Sequence, residues 1–160
     1  MSKKLVAYFS AEGTTAKVAK ELASAADASI YEIRPAVAYT SADINYMDKK
    51  ARTTIECNDK SFRPEMADSN APVADADVIF VGFPIWWYRE PNIIDSFLEA
   101  YDFAGKTVIP FFTSGGSGLG EGQSRIEKIA AGAKVLAGKR FNGRASASEL
   151  KSWISGLNID

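Results

Sequence analysis

Leu5-Val-Ala-Tyr-Phe9 runs directly into Ser10-Ala-Glu-Gly-Thr-Thr15 and then into Ala16-Lys-Val-Ala-Lys-Glu-Leu-Ala23. The first run is short, apolar and stopped at once by turn-forming residues, a pattern that predicts a buried β-strand. The third run places Val18 and Leu22 on one helical face and its lysines on the other, which predicts an amphipathic helix. The chain is therefore predicted to begin with a strand, a loop and a helix.

The loop of this unit is small, rich in hydroxyl groups and free of Lys and Arg. At a helix N-terminus, its backbone N–H groups and hydroxyls would converge where unpaired amides and the helix dipole favour an anion. Because these donors are neutral, we interpret the loop as a cradle for a phosphate group. Its residues are Ser10, Ala11, Glu12, Gly13, Thr14 and Thr15.

Length, composition and charge exclude several classes of protein. The chain has 160 residues, of which 46% are hydrophobic and 24% charged, so we expect one globular domain spanning residues 1–160. The formal net charge of −1 gives no drive toward nucleic acid. No apolar run is long enough to span a bilayer or to form a signal-peptide core. A single cysteine forms no internal disulfide, and we expect a cytoplasmic protein.

The chain contains no histidine. This absence excludes Ser-His-Asp and Cys-His catalysis and any histidine-ligated metal. Cys57 lies in a polar neighbourhood between Glu56 and Asn58 and is interpreted as an incidental thiol rather than a nucleophile. Any chemistry must therefore come from carboxylates, hydroxyl groups or a bound cofactor, and no metal site is predicted.

Strands and helices are predicted to alternate along the rest of the chain. Strands are predicted at 29–33, 77–83, 106–113 and 133–137, and helices at 41–57, from about Pro91, from Gly120 to about Ala131 and at 148–156. Residues 58–72 are expected to form a loop that could roof a site. Pro110 lies inside a predicted strand but cannot donate a ladder hydrogen bond, so we expect a local irregularity there.

This alternation predicts an α/β fold in which helices cover both faces of a parallel sheet. In such sheets, ligands bind beyond the carboxyl ends of the strands, where the strand order reverses. Three loops of unusual composition follow predicted strands, namely 10–15, 84–88 and 113–118. We expect these loops to meet at one edge of the sheet.

The second of these loops consists of Pro84, Ile85, Trp86, Trp87 and Tyr88. It follows a strand that is apolar on both faces and therefore central, and three large aromatic side chains are hard to bury at one strand tip. Exposed aromatic residues here favour a flat aromatic ligand or a protein interface. Packing of any one of them into the core is the alternative.

The third loop begins with Thr113, Ser114, Gly115, Gly116 and Ser117. Its glycines do not form a dinucleotide-binding fingerprint, because the positions that require a small residue hold Glu121 and Gln123. Gly105-Lys106-Thr107 matches the end of a nucleotide-triphosphate P-loop, but Ala100 stands where that motif requires its first glycine, so the motif is not present. The exposed backbone of this loop suits the polar edge of a flat heterocycle, and a flexible surface loop is the alternative.

Together the three loops resemble those of the flavodoxin-like family. Phe9-Ser-x-x-Gly-x-Thr15 is similar to its phosphate loop, Phe83-Pro-Ile-Trp-Trp87 to its first flavin-ring loop, and Thr113-Ser-Gly-Gly-Ser117 to its second. The resemblance covers essentially the whole chain and is to the short-chain type. It implies a three-layer sandwich with a five-stranded parallel sheet in the strand order 2-1-3-4-5.

The resemblance also implies FMN as the cofactor. The residues implied to hold its phosphate are Ser10, Gly13, Thr14 and Thr15. The flavin ring would lie between the 84–88 and 113–117 loops. A peptide around Ile85 or Trp86 would hydrogen-bond the N5 atom of the ring.

Two features depart from the family pattern. Glu12 stands where threonine is common, and its carboxylate would repel a phosphate dianion unless it points outward, as we expect. The 113–117 loop lacks the aromatic residue that typical flavodoxins stack on the outer face of the ring. That face would be open unless a residue of the 36–73 segment, such as Tyr46, covers it.

The sequence leaves three functions open. They are an FMN-binding redox protein that carries electrons, an FMN-dependent NAD(P)H:quinone-type reductase, and a flavin-free protein-interaction module. An open flavin face and a near-neutral charge favour direct access by a small substrate. The lack of a nicotinamide-binding motif favours an electron carrier. The expected partners are a redox partner protein or a small electron donor or acceptor such as NAD(P)H or a quinone.

Overall fold

The computed structural model describes residues 2–159, which form six strands and five helices. The strands are β1 Lys4–Tyr8, β2 Ser29–Glu32, β3 Val78–Pro84, β4 Thr107–Thr113, β5 Lys134–Val135 and β6 Lys139–Phe141. The helices are α1 Thr14–Ala26, α2 Arg52–Cys57, α3 Asn92–Ala100, α4 Gly122–Ile129 and α5 Ala147–Leu157. Across residues 2–159, no helix has the length and apolar character needed to cross a membrane.

The strands form one parallel sheet in the order β2-β1-β3-β4-β5, and β6 also pairs with β4. This is the predicted order 2-1-3-4-5, so the predicted fold class is confirmed. The strand order reverses where β1 pairs with both β2 and β3. The carboxyl ends of β1, β3 and β4 therefore lie side by side, and the three unusual loops leave the sheet from this edge.

The core lies in two layers, one on each face of the sheet. Alternation along β1 sends Leu5 and Ala7 to one layer and Val6 and Tyr8 to the other. The first layer packs against α3 and α4, and the second packs against α1 and α5. Helices on both faces complete the predicted three-layer sandwich.

The edge of the sheet beside β4 is interrupted at Pro110. On that edge, the carbonyl of Val108 accepts a hydrogen bond from the N–H of Leu136 at 2.9 Å. Pro110 faces the same edge two residues later and has no N–H to donate. β5 ends at Val135 and β6 begins at Lys139, one on each side of this position. The predicted irregularity is confirmed, whereas the predicted strand 133–137 shrinks to two residues and β6 was not predicted.

The structure contradicts the predicted helix at 41–57. Only α2 is helical, and residues 41–50 form turns and irregular backbone. The side chains of Asn45 and Asp48 each accept a hydrogen bond from the backbone N–H two residues further on, at 3.1 and 2.9 Å. Such local bonds offer the backbone an alternative to the helix. The apolar spacing was misleading too, because Met47 is 79% exposed.

Candidate cofactor site

The three loops surround one cleft of about 600 Å³ at the carboxyl edge of the sheet. This volume lies within the range of about 300–1,000 Å³ that is typical of small-molecule sites. Thirteen of the fifteen predicted site residues line it: Ser10, Ala11, Glu12, Thr14, Thr15, Pro84, Ile85, Trp86, Trp87, Tyr88, Thr113, Ser114 and Gly115. Gly13 and Gly116 are the two predicted residues outside this lining. The loops meet as expected, while the assignment of individual residues to a ligand stays a prediction.

Sequence reasoning missed three residues of the cleft, which are Ile44, Thr53 and Asn142. The first two lie in the segment that was wrongly predicted as one long helix. Asn142 follows β6, which was not predicted, although the Asn142-Gly143 step is a recognisable turn signal. Tyr46 does line the cleft, whereas none of residues 58–72 does, so the expected roof over the site is wrong.

The first loop presents the open amino end of α1 to the cleft. Gly13 caps this helix with a φ of 93°, a left-handed conformation that favours glycine, and no side chain caps it. The hydroxyl oxygen of Ser10 accepts the N–H of Gly13 at 3.0 Å, which leaves the Ser10 hydroxyl hydrogen for another acceptor. A Cβ atom built at Gly13 would have no other atom within 4 Å, so the space beside this residue is open. The loop is thus an open set of neutral donors at a helix N-terminus, which suits an anion.

A buried pair of hydroxyl groups joins the first loop to the third. The side-chain oxygens of Thr15 and Thr113 lie 2.8 Å apart, and both residues are buried. Thr113 also accepts a backbone hydrogen bond from Ile85 of the second loop at 3.1 Å. The end of β4 therefore fixes the three loops relative to one another.

The second loop contains a tight reverse turn. Trp86 and Arg89 exchange two backbone hydrogen bonds of 3.1 and 3.3 Å. The central residues Trp87 and Tyr88 have φ values of 54° and 67°. This is the pattern of a type I′ turn, in which Asn and Gly are normally found. Each left-handed L-residue costs about 1–2 kcal/mol, so this turn carries strain of the kind that concentrates at functional sites.

The aromatic residues of this loop have different surroundings. Trp86 packs edge to face against Phe9 and Tyr39, with ring centroids 5.3 and 5.1 Å apart. Trp87 and Tyr88 are 39% and 73% exposed. Partial core packing therefore describes Trp86, while the other two rings are free to contact a ligand or a partner.

Arg89 holds the turn from behind. It is buried, and its guanidinium donates to the carbonyls of Cys57 and Glu90 at 3.0 and 2.9 Å and to the Asn92 side-chain oxygen at 2.9 Å. The side-chain amide of Asn92 in turn donates to three backbone carbonyls in the 56–62 segment. The aromatic turn is thereby fastened to a stretch of chain about thirty residues away in sequence.

Two residues near this anchor, Tyr39 and Cys57, have raised pKa values. Burial and a hydrogen bond of 2.5 Å to the Glu56 carboxylate raise the pKa of the Tyr39 phenol. Burial raises the pKa of the Cys57 thiol to about 12. A thiol with so high a pKa is a poor nucleophile, which agrees with the interpretation of Cys57 as an incidental thiol.

The third loop is open at its tip. The Ser114 hydroxyl donates to the carbonyl of Ser117 at 2.5 Å, and Arg140 donates to the carbonyl of Ser114 at 3.0 Å. Gly115 and Gly116 are exposed, and a Cβ added to either would meet no atom within 4 Å. The backbone between these bonds is accessible to a polar ligand edge.

A doubly covered parallel sheet of order 2-1-3-4-5, with a donor-rich loop and an aromatic loop at its switch point, defines the flavodoxin-like class of nucleotide-binding proteins. The chain belongs to the flavodoxin family, which it matches over residues 3–157.

Solved structures agree with this assignment. A protein from Bacteroides uniformis assigned to the flavoproteins is 45% identical over 96% of this chain and 98% of its own, with a TM-score of 0.90. A second, from Bacteroides eggerthii, is 39% identical over 100% of both chains, with a TM-score of 0.92. A Lactobacillus acidophilus flavoprotein in complex with FMN shares the fold, at 24% identity over 96% of this chain and 99% of its own, with a TM-score of 0.72. No protein of curated function is significantly similar in sequence.

Proposed function

We propose that this chain is an FMN-dependent electron-transfer protein that accepts electrons from one partner and delivers them to another. One observation carries the proposal: the uncapped amino end of α1 and the exposed aromatic turn line the same cleft of about 600 Å³. A phosphate ester joined to a large flat ring would use both ends at once. Membership of the flavodoxin family and the FMN complex of the Lactobacillus acidophilus protein support this choice of ligand.

The residues of the cleft fit the parts of FMN. The phosphate would be held by Ser10, by the hydroxyl groups of Thr14 and Thr15, and by the open amides around Gly13. The ring would lie beside Trp87 and Tyr88, with its polar edge against the backbone of residues 113–116. When bound, FMN would supply the reversible uptake of electrons, and the chain would supply position and electrostatics.

Titration of the apoprotein into FMN, followed by quenching of flavin fluorescence, tests this proposal. We expect one-to-one quenching by FMN and much weaker quenching by riboflavin, which has the ring but no phosphate. A chain that quenches neither flavin would contradict the proposal and would favour the flavin-free interaction module, with its tryptophans as an interface.

A double variant locates the phosphate. Ser10→Ala with Thr15→Ala should raise the FMN dissociation constant by roughly tenfold for each lost bond to a charged group. Riboflavin binding should change less than FMN binding, because riboflavin loses only the positioning effect of the Thr15–Thr113 contact and no bond to a phosphate. Ser124→Ala, at an exposed position on α4 outside the cleft, is the control. An unchanged FMN affinity in the double variant would contradict the assignment of this loop.

The reductase alternative is favoured by the rim of the cleft. Tyr46 and Tyr88 both line it and are each 73% exposed, so a small substrate could approach from this side. Consumption of NADH or NADPH by the holoprotein in the presence of a quinone would support a reductase. Failure with both donors, together with reduction by a flavodoxin reductase, would support the carrier.

A further inference from the structure

A pair of buried carboxyl groups lies directly behind the aromatic turn. Glu90 follows the turn, Asp95 lies on α3, and neither has any exposed surface. Arg125 of α4 binds both, through Nε to Glu90 Oε2 at 3.0 Å and through a terminal nitrogen to Asp95 Oδ2 at 2.5 Å. The other oxygen of each carboxyl, Glu90 Oε1 and Asp95 Oδ1, has no hydrogen-bond partner among residues 2–159.

The neighbouring arginines on the loops are already engaged. Arg63 comes within 3.8 Å of Asp95 but forms two hydrogen bonds of 2.8 and 3.1 Å with the Glu99 carboxylate. The guanidinium of Arg89 is directed at the backbone carbonyls and the Asn92 oxygen described above, and within residues 2–159 it forms no hydrogen bond with a carboxylate.

The charges at the start of α4 are engaged as well. Lys60 forms an ion pair of 2.8 Å with Glu121, next to the first residue of the helix. Arg125 is therefore the one cation in direct contact with both buried carboxyl groups within the described part of the chain. Counting Arg63 and its partner Glu99, two guanidinium groups face three carboxyl groups, and the two buried carboxyl groups have no exposed surface.

A single proton resolves this imbalance. Protonation turns the Glu90 carboxyl group into a hydrogen-bond donor, and the Asp95 carboxylate, which contacts the same arginine, is the candidate acceptor. Burial first, and then the hydrogen bond to Asp95, raise the pKa of Glu90 to about 8. Two carboxyl groups that share a site behave in this way because they cannot both ionise without mutual repulsion.

The carboxyl pair is packed rigidly against the turn. A Cβ added at Gly122 would lie 3.0 Å from Glu90 Oε1, and one added at Gly120 would lie 2.7 Å from the carbonyl oxygen of Tyr88. The start of α4 therefore contacts both the carboxyl group and the strained turn. Repulsion that displaces Glu90 has to displace one or both of these neighbours.

We propose that Glu90 and Asp95 share one proton, and that loss of this proton loosens the aromatic turn and weakens cofactor binding as pH rises. Glu90 is then a positioning residue, because it acts on the cleft through the turn. The part of this proposal that concerns cofactor affinity rests on the proposed function, whereas the shared proton itself does not.

The test measures FMN dissociation constants from about pH 6 to about pH 9, a window that spans the raised pKa and excludes ordinary carboxyl groups. We expect the wild-type constant to rise by roughly tenfold across this window, the effect of a one-unit difference in pKa between the bound and free forms. In Glu90→Gln, the new side chain is uncharged and keeps an N–H that can donate to Asp95. The FMN dissociation constant of this variant should therefore stay low at about pH 9. Glu127→Gln changes an exposed carboxylate on α4 and should follow the wild type, including any titration of the FMN phosphate itself.

The apoprotein provides a readout that needs no cofactor. Its urea midpoint should fall from about pH 6 to about pH 9, because the folded state holds a proton that the unfolded state has released. The fall should disappear in Glu90→Gln and become smaller in Asp95→Asn, because burial alone still raises the pKa of Glu90. The second variant serves if the first does not fold. Retention of the wild-type profile in both variants, or a flat wild-type profile, would overturn the proposal. Absence of FMN binding at every pH, with these urea profiles as expected, would overturn the proposed function alone.

Discussion

The proposed phosphate loop, residues 10–15, and the aromatic loop, residues 84–88, line the same cleft but are built in opposite ways. The phosphate loop uses small neutral residues and places a glycine at its left-handed position, Gly13. The aromatic loop places Trp87 and Tyr88 in left-handed conformations and supports them with a buried arginine. The left-handed position of the first loop is met by its own glycine, whereas the strained turn of the second depends on an anchor far away in the chain.

This difference predicts which substitutions will destabilise each loop. Changes within the phosphate loop act through backbone conformation and through the donors offered to the ligand. The aromatic loop carries strain of about 1–2 kcal/mol for each left-handed residue, and that strain has to be offset by the anchors behind it. The substitutions that destabilise the aromatic loop most are therefore expected at residues outside the cleft.

Removal of the anchor should have the largest effect. Arg89→Met keeps much of the side-chain volume but leaves two buried carbonyl groups and the Asn92 oxygen without their donor. Each unsatisfied buried group costs about 1–3 kcal/mol, so the free energy of unfolding in urea should fall by about 3 kcal/mol or more. Arg34→Met removes an exposed ion pair with Asp68 and should change the free energy of unfolding by less than about 1 kcal/mol. Equal effects of the two variants would contradict the anchoring role.

Substitutions at the left-handed positions should change the free energy of unfolding in opposite directions in the two loops. Gly13→Ala places a Cβ in open space, so its cost is conformational and should be about 1–2 kcal/mol of unfolding free energy. Tyr88→Gly relieves the same kind of strain at an exposed residue and should raise stability by up to about 1 kcal/mol. Thermal or urea unfolding of the two apoprotein variants measures both changes.

Gly115→Ala is the matched control for this pair. Gly115 also has open space around its Cβ position, but its φ lies outside the left-handed region. Alanine should therefore be neutral there or slightly stabilising. A loss of stability at Gly115 as large as that at Gly13 would show that strain is not the cause.

The phosphate loop and the sheet could be predicted from sequence because their signals are local. The apolar run before Ser10 and the helical spacing of Val18 and Leu22 lie within one short segment, and the alternation of strands and helices then leads to the sheet order. The 41–50 turns could not be predicted in this way. In that segment the apolar residues are spaced as in a helix, but hydrogen bonds from the backbone to the side chains of Asn45 and Asp48 favour turns instead.

The aromatic loop shows the limit of sequence reasoning for the site. Its position in the cleft followed from the end of a central strand, but its turn type and its anchor did not. Arg89 looks in sequence like an ordinary surface cation, and its partner carbonyl at Cys57 is 32 residues away. Asn142 reached the cleft only through β6, whose short length concealed it. Contacts of this kind are set by packing and leave no periodic pattern.

The smallest expected effect concerns Glu12, the one charged residue of the phosphate loop. It is exposed and also lines the cleft, so its carboxylate could either face a bound phosphate or point to solvent. If it faces the phosphate, Glu12→Gln should lower the FMN dissociation constant by roughly threefold at low salt, because a unit repulsion in water is weak. The gain should vanish near 1 M salt, where the screening length is about 3 Å. Glu127→Gln on α4 is the control for a general charge effect. An unchanged constant at low salt would mean that Glu12 contributes only its backbone, so that the phosphate loop acts as a purely neutral set of donors.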